Sequence, residues 1–319
     1  MMNSRSLRNQ ARRAFLRFHR LALRFGVVVL PKHYYVGVPD LNELARTREL
    51  GARKSAMGGV DCDINGQATR LKEIVAPFES EYRGNHTYLE ACLSNSGPGF
   101  GYIEAQALHG VMRHFKATQV IEVGSGVSTR CTLHAASLNR TETGEDCDVV
   151  CIEPYPRPGL RSAPVELIPR PVQAVPPDFF PERLGPGTML FIDSSHAVNT
   201  GSYVNYLILE VIPRLKPGVV VHFHDIYFPY DCPRDALKTL SQAQETALLH
   251  AFLVGNRSVR VLFSLSWLHY ERRNVLQEVF PEYRPQRERD GLRDESYLSF
   301  GEISEHFPSS TYLETAASR

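Results

Sequence analysis

Short runs of apolar residues alternate with stretches of helical spacing over the central part of the chain. The runs are TQVIEV, DVVCIEP, TMLFID, GVVVHFHD and VRVLFSLSWLHY, between residues 118 and 270. The early runs are apolar at consecutive positions rather than at every second one, which is typical of strands that helices cover on both faces. The pattern predicts an α/β domain with a doubly wound, mostly parallel, Rossmann-like sheet over residues 96–275.

The segments on either side of this core have different patterns. Residues 31–95 contain a helix start at Asp40 and helical spacing over residues 68–82, so we expect a helical cap before the core. A glycine-rich loop, SNSGPGFG at residues 94–101, connects the two. Residues 276–319 have no comparable periodicity, and we interpret them as a C-terminal extension.

The N-terminal segment, residues 1–30, is strongly basic. The first 39 residues contain no Asp or Glu. Apolar residues alternate there with seven arginines, which are Arg5, Arg8, Arg12, Arg13, Arg17, Arg20 and Arg24. This composition predicts an amphipathic helix. Three interpretations of it stay open: peripheral contact with a membrane, a transit peptide, and a solvated surface helix.

Composition limits the class of protein in three ways. The 36 Lys and Arg are balanced by 35 Asp and Glu, so the overall charge does not favour nucleic acid as a partner. The apolar run LALRFGVVVL is interrupted by Arg24 and is shorter than the roughly 18–20 residues that span a bilayer. The six cysteines form no C-x-x-C pair, which favours reduced thiols and a cytoplasmic location, with a membrane-peripheral one left open.

Polar residues follow the predicted strands at the point where each strand ends. In a doubly wound sheet, ligands bind beyond these carboxyl ends. The residues at these positions are Glu122, Gly124, Ser125, Gly126, Glu153, Asp193, Ser194, Ser195, His196, His222, His224 and Asp225. A hydrophobic core does not need so many ionisable groups, so we expect the functional site at this edge of the sheet.

The stretch VIEVGSGVSTR, residues 120–130, restricts the ligand. Gly124 and Gly126 lack Cβ atoms, so a ligand can approach the backbone closely. A dinucleotide fold usually has G-x-G-x-x-G, whereas the third position here is Thr129. Glu122 is unfavourable beside a pyrophosphate, and Glu153 suits the hydroxyls of a ribose. A cationic nucleoside without phosphates fits these features, and S-adenosylmethionine is such a ligand.

Two longer motifs resemble a known family. VIEVGSGVSTR followed by VVCIEP resembles motifs one and two of class I S-adenosylmethionine-dependent methyltransferases. The stretch MLFIDSSHAVNTGSYVNYLILEVIPRLKPGVVVHFHDIYFPYDCP resembles the group called methyltransferase family 24, which is related to catechol-type and macrolide-sugar O-methyltransferases. The resemblance covers roughly residues 30–283 and implies a seven-stranded sheet.

The resemblance implies how the cofactor binds. The glycine turn would pass under the methionine part, Glu122 would hold the loop or the amino group, and Glu153 would bind the ribose. Gln173 falls where the family reads the adenine edge. Tyr102 would close over the methionine end or simply begin a helix. The predicted cofactor-binding residues are Glu122, Gly124, Ser125, Gly126, Glu153, Asp193, Tyr102 and Gln173.

The resemblance also implies catalytic and metal-binding residues. An aspartate matching Asp193 is a ligand in metal-dependent O-methyltransferases, and the next strand ends in a pair that reads His224-Asp225 here. We therefore predict Asp193, His224 and Asp225 as ligands of Mg²⁺ or Mn²⁺; the imidazole leaves another divalent metal, or none, open. In sugar O-methyltransferases the histidine at the spacing of His196 is a general base. His196 and Asp193 are thus the predicted catalytic residues, with a loop hydrogen bond as the alternative role of His196.

These features predict an S-adenosylmethionine-dependent methyltransferase. The expected acceptor is a hydroxyl of a small molecule such as a sugar, a glycolipid head group or a natural product, and the expected assembly is a homo-oligomer. No nucleic-acid partner is expected. Two other interpretations stay open: an NAD-dependent oxidoreductase, against which Glu122 and Thr129 argue, and a non-catalytic nucleoside-binding protein.

Overall fold

The computed structural model describes residues 4–32, 37–51, 53–61, 63–94, 99–233, 237, 243–286 and 306–317, with side chains from residue 10 onward. Residues 95–98 of the predicted glycine-rich loop, Cys62, and residues 287–305 and 318–319 of the predicted C-terminal extension lie outside this part. The chain divides into two compact units, residues 1–50 and residues 51–319.

The first unit is helical, as its sequence predicts. The basic segment forms α1, Ser4–Leu23. Asp40 begins α2, Leu41–Arg46, by accepting hydrogen bonds from the backbone N–H groups of Asn42 and Glu43, because a carboxylate can satisfy donors that have no partner inside the helix. The short α3, Arg48–Gly51, follows. Among the described residues, none of the helices combines the length and hydropathy needed to cross a bilayer.

The second unit contains a seven-stranded sheet. Its strands are β1 Gln119–Val123, β2 Asp148–Ile152, β3 Glu166–Ile168, β4 Met189–Ile192, β5 Val220–Phe223, β6 Val259–Ser264 and β7 Thr311–Thr315. The strand order is β3-β2-β1-β4-β5-β7-β6. Strands β1 to β5 pair in parallel, and β7 is antiparallel to both β5 and β6. The predicted doubly wound, mostly parallel α/β architecture is confirmed.

Helices cover both faces of this sheet. Those of the second unit are α4 Ile64–Val75, α5 Glu79–Tyr82, α6 His86–Ser94, α7 Tyr102–Phe115, α8 Val127–Thr143, α9 Pro158–Arg161, α10 Phe179–Arg183, α11 Tyr203–Tyr206, α12 Glu245–Leu253, α13 Leu265–Glu271 and α14 Arg273–Val279. Short 3₁₀ turns lie at Ala76–Phe78, Val172–Ala174 and Ile212–Arg214, and a π-helical turn at Leu207–Val211.

The consecutive apolar residues of the strands serve two separate cores. On β4, Met189 and Phe191 belong to the core that α4, α7, α8, α13 and α14 cover. Leu190 and Ile192 belong to the core on the opposite face, under α10, α11 and α12. Successive side chains of a strand point to opposite faces, so both sets must be apolar when both faces are buried.

The C-terminal part of the chain corrects the predicted limits of the core. Residues 276–319 were expected to be an extension outside the sheet, yet β7 lies between β5 and β6. Tyr312 is fully buried there, between the rings of His222 and Phe263 at 4.8 Å from each. This strand is too short to show a pattern in the sequence, and it pairs with a neighbour on each side.

Two other elements differ from the sequence pattern. The run VRVLFSLSWLHY is a strand only as far as Ser264 and then turns into α13. The proline-rich stretch after β2 contains the short edge strand β3. Periodicity does not distinguish a strand from a helix in short apolar runs, which explains both differences.

Candidate active site

The glycine turn after β1 packs directly against the backbone at the end of β4. Gly124 has φ +82°, a left-handed conformation that favours glycine. A Cβ at Gly124 would lie 1.8 Å from the carbonyl oxygen of Asp193. Strands β1 and β4 are neighbours at the position where the order of the sheet reverses, which is where doubly wound sheets bind their ligands.

A cavity of about 260 Å³ opens at this position. Its lining includes three of the predicted cofactor-binding residues, Gly124, Glu153 and Asp193. The other lining residues are Val123, Ile152, Pro154, Tyr155, Val172, Ser194, Ser195 and Tyr203. Glu153 Oε1 accepts a hydrogen bond of 2.8 Å from the backbone N–H of Tyr155, and Oε2 lies 3.4 Å from the N–H of Ser125. These two contacts hold the carboxylate at the cavity wall.

Glu122 lies beneath the glycine turn and not at the cavity surface. Its side chain is fully buried and accepts a short hydrogen bond from Ser128 Oγ, near the start of α8. Burial raises the pKa of Glu122 to about 7, although the hydrogen bonds from Ser128 and Thr129 oppose this rise. The Thr129 hydroxyl also accepts the N–H of Gly126 at 3.0 Å. Of the two roles predicted for Glu122, the geometry favours holding the loop.

The remaining predicted cofactor residues lie outside this cavity. Ser125 and Gly126 line a neighbouring cleft at the start of α8. Gln173 is in a 3₁₀ turn and donates a hydrogen bond of 2.6 Å to the carbonyl of Gly201. Tyr102 is buried at the start of α7, with its ring 4.7 Å from that of His306. The position of Tyr102 corresponds to its alternative interpretation, the first turn of a helix.

Three groups with metal-ligating atoms meet next to the cavity. Single side-chain ligand atoms of Asp193, His196 and His224 all lie within 4.8 Å of one another. Asp193 Oδ1 is 3.5 Å from His196 Nε2 and 3.4 Å from His224 Nδ1. Asp193 also lines the cavity, so one residue belongs both to the cavity wall and to the cluster. The sequence predicted these three residues for the site, with His196 as a base and not as a ligand.

Asp225 borders the cluster. Its Oδ2 lies 3.4 Å from His196 Nε2, and its Oδ1 lies 3.6 Å from His224 Nδ1. Oδ1 also accepts hydrogen bonds from Ser309 Oγ at 3.1 Å and from Tyr227 Oη at 3.3 Å. Asp225 has φ +55°, which is uncommon outside glycine and asparagine or aspartate. This conformation places the carboxylate beside both imidazoles.

The orientation of His196 is set by Glu245, the first residue of α12. Nδ1 of His196 is 2.8 Å from Glu245 Oε2, and the backbone N–H of Glu245 donates to the carbonyl of His196 at 3.2 Å. A carboxylate only accepts, so Nδ1 carries a proton and Nε2 faces Asp193 and Asp225. Histidines that bind metals usually donate a hydrogen bond from one ring nitrogen to a carboxylate and bind the metal through the other nitrogen. His196 has this arrangement.

The carboxylates change the protonation of both imidazoles. Burial favours neutral imidazole, but Asp193, Glu245 and Asp225 together raise the pKa of His196 to about 11. Burial also lowers the pKa of His224, but the charges of Asp193 and Asp225 have the larger effect and raise this pKa to about 9. Burial also opposes ionisation of Asp193, yet His224 and His196 hold its pKa well below its usual range. Without a bound cation, both imidazoles are therefore protonated at neutral pH and balance the carboxylates.

His222 and Glu104 are buried side chains next to the site. His222 is fully buried, stacks on Phe191 at 4.1 Å, and has Nε2 2.8 Å from Ser310 Oγ. Burial lowers its pKa well below the usual value, so it is a neutral structural residue. Glu104 is buried in α7 and accepts hydrogen bonds from His306 Nε2 at 2.5 Å and from the N–H of Ser309 at 2.8 Å.

Several residues of the site have no signal in the sequence. Glu245 follows His196 by 49 positions, and Ser309 follows Asp225 by 84. Glu245 comes from a helical stretch between two predicted strands, and Ser309 comes from the predicted C-terminal extension. Tyr155 and Tyr203 line the cavity beside Glu153. Of these two, only Tyr155 has a signal in the sequence, because it lies two residues after the strand-end acid Glu153.

Part of the core is similar to known proteins. Residues 121–226 match the family model described as methyltransferase domain. An uncharacterised protein of Archaeoglobus fulgidus is 28% identical over 166 residues, which are 49% of this chain and 73% of that protein. The matched segment begins in β1 and ends just after β5, so it contains both the cavity and the cluster.

Two solved structures resemble the chain at low identity. A protein of Thermobifida fusca YX, provisionally described as a methyltransferase, has 10% identity and a TM-score of 0.34, covering 83% of this chain and 96% of its own. The MycE methyltransferase of the mycinamycin biosynthetic pathway, solved with Mg and SAH, has 14% identity and a TM-score of 0.34, covering 72% of this chain and 54% of its own. These scores are too low to support a comparison of sites.

The family match and the seven-stranded α/β sheet define the class of protein. Residues 121–226 match a methyltransferase domain, and this match supports the predicted class I, S-adenosylmethionine-dependent type. The protein is accordingly a methyltransferase, and the prediction of its enzyme class is confirmed.

Proposed function

We propose that this protein methylates a hydroxyl group of a small molecule, with a divalent cation bound by Asp193, His196 and His224 and with Asp225 beside it. The observation that supports this proposal most directly is that Asp193 belongs both to the wall of the cavity and to the cluster. A cation bound at this residue would place the acceptor hydroxyl next to the methyl donor, and alignment of the reactants is a main source of rate enhancement.

The cavity suits S-adenosylmethionine. Gly124 lines the cavity, and the Glu153 carboxylate is held at the wall with lone pairs available to ribose hydroxyls. Glu122 stabilises the turn from below. When bound, the cofactor supplies a methyl group on a positively charged sulfur.

The cluster suits a divalent cation with mixed ligands. The imidazoles of His196 and His224 and the carboxylate of Asp193 favour Mn²⁺, Fe²⁺ or Zn²⁺ over Mg²⁺, which prefers oxygen ligands. When bound, such an ion would stabilise the deprotonated form of a coordinated hydroxyl. Glu245 keeps His196 Nε2 directed at the site, and Ser309 keeps the Asp225 carboxylate in place.

The high pKa of His196 changes its proposed role. A general base must be neutral to accept a proton. His196 is instead protonated at neutral pH, because the carboxylates of Asp193, Glu245 and Asp225 raise its pKa. We assign His196 to cation binding because its ligand atom lies within 4.8 Å of those of Asp193 and His224. Coordination requires the unprotonated nitrogen, so binding of a cation would release this proton. His196 would serve as a base only if a bound cation first offset the negative charge around it.

Calorimetric titration tests the cofactor part of the proposal. S-adenosylmethionine and S-adenosylhomocysteine should bind the purified protein, and NAD should not. Glu153→Gln should weaken binding about 10- to 100-fold, since hydrogen bonds to a charged group contribute about 1.5–3 kcal/mol. Asp148→Asn is the matched control, because Asp148 is exposed at the opposite end of the same strand. Equal affinities for the two variants would contradict the ribose assignment.

The metal part is tested separately. After chelation, Mn²⁺ and Mg²⁺ are titrated into wild type, His224→Gln and the control His114→Gln, which changes an exposed histidine on α7. We expect Mn²⁺ to bind more tightly than Mg²⁺ and only His224→Gln to lose that binding. Transfer of the methyl group is then followed with paired acceptors, a free hydroxyl compound and its O-methyl ether. Transfer to the ether as well would exclude O-methylation.

A further inference from the structure

The helix α1 has two chemically different faces. Four of its arginines, Arg12, Arg13, Arg17 and Arg20, are exposed. The apolar positions follow a separate stripe at helical spacing, in which Phe18 and Leu21 are 54% and 52% exposed. No Asp or Glu occurs among the first 39 residues, so nothing within this segment neutralises the basic face.

The apolar surface continues past the end of the helix. Gly26, in the turn after the helix, has φ +72°, and the N–H of Val27 donates to the carbonyl of Ala22 at 3.1 Å. His19 Nδ1 donates to the carbonyl of Val29 at 2.7 Å. These bonds hold the segment FGVVVL, residues 25–30, against the end of the helix, with Phe25 and Val28 at 77% and 62% exposed.

We propose that residues 4–30, the N-terminal anchor, bind a membrane surface that contains anionic lipids. Arginines would lie among the lipid head groups while the apolar stripe and the FGVVVL segment enter the boundary of the acyl chains. The anchor lies on the surface, because the helix is not apolar enough to cross the bilayer. The proposal is independent of the methyl transfer reaction proposed above.

Charge and polarity favour this partner over two others. A second copy of the anchor would bring seven further arginines and no acid against the first, so like charges would oppose pairing. A nucleic acid would use the basic face but would leave the large apolar side chains in water. An anionic lipid surface satisfies both faces at the same time.

Co-sedimentation of the full chain with lipid vesicles tests the proposal. Vesicles of phosphatidylcholine alone are compared with vesicles that also contain phosphatidylglycerol. We expect binding to the anionic vesicles, little binding to the neutral ones, and weaker binding as salt is added. Each arginine near an anionic surface strengthens partitioning about fivefold.

Two variants separate the contributions. Replacement of Arg12, Arg13, Arg17 and Arg20 by Gln should lower partitioning by more than about a hundredfold. The matched control removes the same charge from exposed positions of the second unit, with Gln at Arg140, Arg161, Arg170 and Arg257, and should change it little. The double variant Phe18→Gln, Leu21→Gln keeps every charge and should also release the protein from the vesicles.

Three results would overturn the proposal. The first is equal binding to neutral and anionic vesicles, or to neither. The second is an apolar variant that binds anionic vesicles like wild type, since a purely electrostatic contact would then suffice. The third is preferential binding of a single-stranded oligonucleotide, or a concentration-dependent dimer in gel filtration that the apolar variant abolishes. These outcomes would assign the anchor to nucleic acid or to a second copy.

Discussion

The substitution Gly124→Ala tests whether the contact between the glycine turn and β4 is essential. The new Cβ would lie 1.8 Å from the carbonyl oxygen of Asp193, where real contacts are almost never shorter than 3.0 Å. The obstructing atom belongs to the backbone, so it cannot move aside as a flexible side chain would. Either the turn or the end of β4 must shift by more than about 1 Å, and both carry residues of the site.

The expected cost has two parts. The left-handed conformation of Gly124 costs a non-glycine residue about 1–2 kcal/mol. The overlap adds the cost of inserting a methyl group into a packed region, about 1–3 kcal/mol. The variant Gly144→Ala, at the end of α8, measures the conformational cost alone. Gly144 has nearly the same φ, +79°, and a Cβ there would meet nothing within 4 Å. Gly124→Ala should therefore be more destabilising than Gly144→Ala by about 1–3 kcal/mol.

Urea unfolding and cofactor titration measure the two effects. Unfolding followed by circular dichroism gives the stability of each variant relative to wild type. Calorimetry should then show at least about a tenfold loss of S-adenosylmethionine affinity for Gly124→Ala and none for Gly144→Ala, since about 1.4 kcal/mol is a factor of ten. If both variants unfolded at the same urea concentration and bound the cofactor equally well, the contact between Gly124 and Asp193 would not be essential.

Three further predictions concern buried or paired side chains. Glu122 has a folded pKa near 7 against an ordinary value of 4.5, so its contribution to stability is intact below pH 4.5 and is lost as the pH rises to 7. As the pH rises through this range, the free energy of unfolding should fall by on the order of 3 kcal/mol more in wild type than in Glu122→Gln. If the free energies of the two proteins changed in parallel with pH, the assignment would be wrong. Glu81 is paired with Arg113 at 2.7 Å, which lowers its pKa to about 2, so it stabilises the fold above pH 4.5 and ceases to do so as the pH falls toward 2. Glu81→Gln should cost about 1–2 kcal/mol in urea unfolding at pH 7 and less at pH 3; an equal cost at both would show that charge is not involved. Ser309→Ala removes the hydrogen bond to Asp225 and should weaken Mn²⁺ binding about tenfold in calorimetry with an unchanged circular dichroism spectrum, whereas unchanged affinity would remove Ser309 from the site.

The fold class and the location of the site were predictable because they depend on local patterns. Consecutive apolar residues require a strand buried on both faces, and the structure has such strands in both cores. A parallel sheet places the ends of its strands at one edge, so Gly124, Glu153 and Asp193 had to lie near one another. His196 and His224 were expected at the same edge for the same reason.

The remaining parts of the site depend on long-range contacts. Glu245 and Ser309 are distant in sequence, and no periodicity or motif connects them to His196 or Asp225. The burial of Glu122 and Tyr102 likewise follows from the helices that cover them and not from their neighbours in the chain.

The sequence by itself determined a doubly wound sheet, a glycine turn that excludes a side chain, and a set of ionisable residues at the strand ends. Only the tertiary structure decided that β7 completes the sheet, and that Asp193 is shared between the cavity and the histidine cluster. It also decided the charges of the imidazoles, since three carboxylates from three different segments surround His196. The physical reason is that a residue's pKa and role depend on the groups within a few ångströms of it, and the chain path that brings these groups together has no local signature.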